Sequence, residues 1–205
     1  IEPNLLETDI IEFVSKSKKF MPHFHIPLQS GSNRILGLMK RRYQRELYAA
    51  RVEVIKKNMP HCCIGVDVIV GFPGETKKDF DLTMELVNLI EFDSSFSFVY
   101  SPRPGTPATK LNDPVSLNEK KERLSILQAT LNSFHHEHSI QMEGGIERCL
   151  VTGIAKKSPD QLQARTECNR VVNFDFTNSD LIGNLIDIKI EKALANSLLG
   201  SIHKN

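Results

Sequence analysis

The residues Val66-Asp67-Val68-Ile69-Val70-Gly71-Phe72-Pro73-Gly74-Glu75-Thr76 combine a carboxylate, two glycines and a helix cap in one short stretch. Alternation puts Val66, Val68 and Val70 on one apolar face and Cys63, Gly65, Asp67 and Ile69 on the other. The second face, built of small and polar groups, can meet a ligand, and a carboxylate placed there needs a partner. Gly71 and Gly74 permit a sharp turn that brings peptide groups close to a bound molecule. Thr76 with Asp79 then caps a helix. Taken alone, the string also fits a strand-to-helix turn with no ligand, or an anion loop over Gly71 to Glu75. The other chemistry-bearing types offer less. Cys62, Cys63, Cys149 and Cys168 are adjacent or far apart, a spacing unsuited to zinc or an iron-sulfur cluster. His135, His136 and His138 lack a surrounding carboxylate or cysteine pattern.

Two further segments position that face. In His23 to Gln29, Phe24, Ile26 and Leu28 share one side while His23, His25, Pro27 and Gln29 share the other. In Ser95 to Tyr100, the aromatics Phe96, Phe98 and Tyr100 oppose Ser95, Ser97 and Val99. Each strand precedes a helical stretch, the rhythm of a parallel sheet. Strands buried between two helix layers read as continuous Val, Ile and Leu. These do not, so one face is expected against helices and the other on a small-residue cavity. Active groups are expected at the strands' C-terminal ends, where Gln29 to Ser32, Gly71 to Glu75 and Ser101 to Pro107 fall.

Along the chain, Ile1-Glu2-Pro3 reads as the tail of a strand, and Asn4 with Glu7 as the start of a helix carrying Leu5, Leu6, Ile10, Ile11 and Val14. Ser116 with Glu119 forms a capping box for a long helix through Leu124, Leu127, Leu131 and Phe134. Gly144-Gly145 marks the domain boundary. Beyond it, strands are expected at 148–152, 161–165, 171–174, 185–190 and 198–202, which suggests a small closed antiparallel barrel. With 26 Lys and Arg against 25 Asp and Glu, net charge +1, nucleic-acid contacts must come from local patches. One such patch is Lys40, Arg41, Arg42, Arg45, Arg51, Lys56 and Lys57. No apolar run has the length of a membrane span, no membrane partner is expected, and the thiols suit a reducing cytosol.

Four ordered motifs carry a resemblance that spans nearly the whole chain: Phe24 to Ser32, Ile69 to Thr76, Tyr100 to Ala108 and Arg165 to Phe174. In this order they resemble the radical S-adenosylmethionine tRNA methylthiotransferases. The resemblance implies an α/β fold, with a partial radical-SAM (βα) barrel over 1–144 and a small antiparallel β-barrel, the TRAM-like RNA-binding domain, over 145–205. It implies addition of a methylthio group at C2 of a modified adenosine beside the tRNA anticodon. Gly65 to Val70 and Met21 to His25 resemble enzymes acting on threonylcarbamoyladenosine, whereas the chain from Phe96 onward resembles the MiaB type, which acts on isopentenyladenosine and is favoured.

Its cofactors would be S-adenosylmethionine and 4Fe-4S clusters. The family's cluster cysteines have no counterparts here, so the chain reads as the C-terminal portion of a cytoplasmic enzyme, inactive alone and partnered by tRNA and by the upstream part of the same enzyme. A module that only binds RNA or serves as scaffold is the alternative. Cofactor contacts are expected from Gln29, Ser30, Asp67, Ile69, Gly71, Ser97 and Val99. RNA contacts are expected from Arg103, Lys156, Lys157, Arg165, Asn169, Arg170 and Phe174.

Overall fold

The computed structural model describes residues 1–156, 158–176 and 179–203, which form two compact units, residues 1–20 with 24–134 and residues 21–23 with 135–203. In the first unit the order is α1 (Thr8–Lys16), β1 (His23–His25), α2 (Asn33–Leu38), α3 (Arg45–Asn58), β2 (Cys63–Val70), α4 (Lys77–Ile90), β3 (Ser94–Val99) and α5 (Leu117–Ile140), whose last turns belong to the second unit. The sheet order is β1-β2-β3, and β2 and β3 run parallel with Asp67 beside Phe96 and Ile69 beside Phe98. Chain following β1 stays against β2: the Ile26 N–H donates to the Gly65 carbonyl at 2.9 Å, and Gln29 forms a parallel bridge to Val68. Pro27 lacks an N–H, which confines regular pairing in this segment.

The helices obey local rules in part. Thr76 and Asp79 form a reciprocal capping box at the start of α4, as the spacing requires. The Ser116 hydroxyl accepts from the Glu119 N–H at 3.2 Å at the start of α5. At the N-terminus the expectations fail. Ile1 to Pro3 form no strand, and α1 begins after Glu7 with no side-chain cap. Its place is set instead by burial of Ile11 and Val14. Val66, Val68 and Val70 are buried with Ile26, Leu28, Tyr48, Phe92 and Leu127 in one apolar core.

In the second unit β4 (Ile146–Ala155), β5 (Ser158–Thr166), β6 (Val171–Asp175), β7 (Leu185–Ala193) and β8 (Leu198–Ile202) close into a barrel of order β4-β5-β6-β8-β7. Four of its pairings are antiparallel, but β6 and β8 run parallel. The expected wholly antiparallel barrel is geometrically barred, because strand direction cannot alternate around a ring with an odd number of members. Cys149, Val151, Leu162, Ala164, Val172, Phe174, Ile188 and Ile190 fill the interior. Gly144 and Gly145 lead into the barrel: Gly144 donates its N–H to the Ile190 carbonyl, and the Gly145 carbonyl accepts from the Ile190 N–H, at 2.8 and 2.9 Å.

Candidate functional site

In the first unit a cavity of about 740 Å³ opens beside the C-terminal halves of the strands, lined by Gln29, Asp67 and Ile69, by Phe96, Phe98, Val99 and Tyr100, and by Lys40, Arg41 and Arg103 from the loops. The alternation in β2 thus places Asp67 and Ile69 on the open face. Asp67 finds its partner in His25, with Nε2 and Oδ1 3.0 Å apart. The imidazole fits because residue 65 has no side chain: a Cβ there would lie 2.8 Å from His25 Nδ1. The Phe96 ring flanks it, centroids 6.0 Å apart. Gln29 reaches the cavity through a left-handed backbone with φ of 64°, a conformation uncommon outside glycine.

The loops at the strand ends are held by buried polar groups. Ser30 is fully buried, its hydroxyl accepting from the Ser32 N–H at 3.1 Å, and the Gly31 N–H donates to Thr83 Oγ1 at 2.9 Å. A Cβ on Gly31 would lie 2.6 Å from the Leu82 carbonyl oxygen. Ser30 therefore seats its loop on α4 and is not a cavity group. Asp79 joins the same network, accepting from Ser32 Oγ at 2.6 Å and from Arg34 and Thr76. Burial pushes its carboxyl upward, but the hydrogen bonds from Arg34, Ser32 and Thr76 outweigh this and hold it well below the usual carboxylate range.

Gly71 also departs from expectation. Its φ of 68° suits glycine, yet the atoms a side chain would strike are the Lys120 methylenes. Lys120 lies over the Tyr100 ring at 5.8 Å and pairs with Asp113. The Gly71 N–H donates to Glu75 Oε1 at 3.1 Å, and Arg123 pairs with the same oxygen at 2.7 Å. Burial raises the Glu75 carboxyl against those two stabilising bonds. A carboxylate already occupies the turn amide, which argues against Gly71 to Glu75 as an anion loop.

β3 brings the larger correction. Its register puts Phe96 and Phe98 on the face of Asp67 and Ile69, 60% and 55% exposed, and sets Ser97 beside buried Val68. The aromatics, expected against helices, line the cavity, and Ser97 does not. The basic patch is dispersed: Lys40 and Arg41 line the cavity, while Arg45 pairs with Glu85 at 3.5 Å and Lys56 donates to the Cys62 carbonyl at 2.7 Å. Sequence reasoning missed Phe96, Phe98 and Lys40 as cavity groups and His25 as the partner of Asp67. The only signal for His25 was its place in the alternation of its own strand.

On the barrel, Lys156 and Arg165 are exposed, and Arg165 donates to the carbonyl and Oδ1 of Asn169, both at 2.9 Å. Asn169 turns through a left-handed conformation, φ 66°. Phe174 is fully buried and serves the core, so it offers no ring for base stacking. Arg170 is also buried, with a guanidinium nitrogen 3.1 Å from His135 Nδ1. Lys157 lies outside the described residues. Burial pushes the Cys149 thiol up to about 12, which suits an inert core group.

The Radical SAM superfamily matches residues 1–87, and the TRAM domain matches residues 141–203. The tRNA-2-methylthio-N(6)-dimethylallyladenosine synthase of Hahella chejuensis is 49% identical over 191 residues, 93% of this chain and 43% of the relative. The same-named protein of Legionella pneumophila (strain Corby) is 48% identical over 200 residues, 98% of this chain and 44% of the relative. The chain belongs to the radical S-adenosylmethionine methylthiotransferase family. It spans less than half the length of these relatives. Among solved structures, Escherichia coli coproporphyrinogen III oxidase, described as a radical SAM enzyme, superposes with a TM-score of 0.56 at 16% identity. That match covers 82% of this chain and 45% of the other and bears on the fold alone.

Proposed function

We propose that this chain supplies the cofactor cavity and an RNA-binding barrel to a cytoplasmic tRNA methylthiotransferase that modifies C2 of N6-dimethylallyladenosine beside the anticodon. The observation that carries this reading is one chain joining a cavity at parallel strand ends to a TRAM barrel while being 49% identical, over 93% of its length, to a tRNA-2-methylthio-N(6)-dimethylallyladenosine synthase. The functional boundary is assigned to Gly144-Gly145, where the chain enters the barrel.

The residues on the cavity wall fit S-adenosylmethionine, which when bound supplies radical C–H chemistry. Ile69 and Val99 offer apolar contact, and Gln29 and Asp67 offer hydrogen bonds, with His25 holding the Asp67 carboxylate in place. Gly71 and Ser30 shape the loops around that pocket. A 4Fe-4S cluster does not fit the residues here: among the described residues no three His, Cys, Asp or Glu side chains gather as metal ligands. Its ligands are assigned to the upstream part of the same enzyme. We assign the barrel's contacts with tRNA phosphates to Arg165, Asn169 and Lys156, which stand exposed on its surface.

Equilibrium dialysis with S-adenosylmethionine and filter binding with tRNA test the reading on the chain itself. Ile69→Asp should abolish cofactor retention and leave tRNA binding intact, and Arg165→Ala with Asn169→Ala should do the reverse. Retention of the cofactor by Ile69→Asp at wild-type affinity would remove it from this cavity.

A further inference from the structure

At the end of its sheet away from the cavity, the first unit carries a basic and aromatic surface that neither the cofactor nor the barrel uses. Helix α1 turns its apolar side inward through Ile11 and Val14, yet Phe13 points out of the same helix and is 63% exposed. The helix ends at Ser17, whose N–H donates to the Val14 carbonyl at 3.1 Å. The chain then bends through Lys18 and Lys19, where the Lys19 N–H donates to Ser17 Oγ at 3.2 Å. That bend returns Phe20, 56% exposed, to Phe13, and the two rings meet edge to face with centroids 5.9 Å apart at 71°. Lys16, Lys18 and Lys19 all stand exposed on the segment between the rings. Lys16 meets Glu12 at 3.8 Å, an exposed pair of little strength in water. Because this segment leads into β1, it lies where the parallel strands begin. Lys57, in the last turn of α3 before β2, adds exposed positive charge at that same end.

We propose that this surface is a contact for single-stranded RNA, separate from the cavity and from the barrel, with Lys16, Lys18 and Lys19 on backbone phosphates and a base stacked on Phe13 or Phe20. The inference goes beyond the tRNA reading and takes from it only that the polyanion is RNA. Three like charges so close in the chain repel one another and gain when an anion comes between them. An exposed ring pair among lysines has the chemistry of a stacking platform. Edge-to-face geometry leaves ring faces open, every base offers a flat π-face, and the ammonium groups follow the backbone as point charges. A duplex keeps its base faces stacked inside, so unpaired strand is the form that fits. An anionic membrane is the poorer match, because a helix lying in a bilayer surface needs its apolar side free, and that side of α1 is buried in the core.

The test measures fluorescence anisotropy of the full chain with a labelled oligouridylate and with a blunt RNA duplex, over a range of salt. Replacing Lys16, Lys18 and Lys19 together by Ala should flatten the log affinity against log salt by about 2, the share of three single-strand phosphates. Phe13→Ala with Phe20→Ala should weaken oligouridylate binding about tenfold, the scale of one lost stacked base, with the salt slope unchanged. Phe13→Leu with Phe20→Leu keeps apolar bulk, removes the flat faces and should match the alanine pair. Duplex binding should respond to the lysine variant and not to the phenylalanine variants. All five positions are exposed, and circular dichroism confirms that each variant keeps its fold. The proposal is overturned if either the lysine variant or the Phe-to-Ala variant binds oligouridylate as the unsubstituted chain does. It is overturned equally if the substitutions lower binding of phosphatidylglycerol vesicles or polyglutamate and leave oligouridylate binding intact. A chain that holds tRNA in filter binding but no oligouridylate removes this contact and leaves the tRNA reading on the barrel. If it binds neither, the tRNA reading falls as well.

Discussion

The unit of residues 1–20 and 24–134 buries five charged side chains, Glu75, Asp79, Asp93, Lys120 and Arg123, together with Ser30, Ser32 and Thr83, whereas among the described residues the barrel unit buries one charged side chain, Arg170, beside the hydroxyls of Ser139 and Thr166. The difference follows from the kind of surface each unit presents. A concave site needs irregular loops held in fixed positions, and buried loop backbone must find hydrogen-bond partners. Asp79 and Glu75 supply them, each receiving several donors. The barrel satisfies its backbone by closure, so its interior can be apolar and its polar groups can stand outward. Single substitutions are therefore expected to damage the first unit severely and the barrel surface mildly.

The largest effect should come from Arg123→Met, which leaves Glu75 buried without its ion-pair partner, a loss of about 3–5 kcal/mol. The chain's three tyrosines, Tyr43, Tyr48 and Tyr100, all lie in the first unit, so tyrosine fluorescence in urea reports that unit specifically. Arg165→Met on the barrel surface should change stability by less than about 0.5 kcal/mol when followed by circular dichroism. Equal losses in the two variants would break the contrast.

Gly71→Val should come next, at about 2–4 kcal/mol, because a β-branched residue is strained at φ of 68° and overlaps the Lys120 stem. In a Lys120→Ala background part of that loss should return, read as a coupling energy in a double-mutant cycle. Strict additivity would show that the lysine contact is not what excludes a side chain there.

The pH dependence sharpens the comparison further. The Asp79 carboxyl lies below its unfolded value, so its contribution is complete above about pH 4 and is lost as pH falls toward its folded value. Glu75 has the opposite sign: its carboxyl is raised, so its contribution is present below about pH 4 and is lost as pH rises through the folded value. Urea midpoints of the first unit should therefore fall on acidification, and Asp79→Asn should flatten that profile. A steeper acid slope in Glu75→Gln would confirm that the two carboxyls oppose each other. An unchanged profile in Asp79→Asn would remove it as the acid-sensitive group.

Much of this was legible in the linear order. The alternation from Cys63 to Val70, the Thr76 and Asp79 capping box and the succession of barrel strands are local patterns, and each appears where spacing placed it. The faces of β3 were misassigned because Phe96 and Phe98 are apolar, and apolarity alone suggests burial. Their side was decided by register against β2, with Phe96 beside Asp67. Phe174 failed in the other direction, since a ring inside a plausible RNA motif proved to be core.

The sequence by itself determined the secondary-structure alphabet, the parallel sheet followed by a closed barrel, and the family, because periodicity, caps and ordered motifs are properties of neighbours along the chain. Only the tertiary structure decided that His25 partners Asp67 across 42 positions, that Gly71 makes room for Lys120, and that Lys40 and Arg103 share one cavity. Those pairings join residues far apart in the chain, and a side chain's partner across such a distance is set by sheet register and helix packing, which no local pattern encodes.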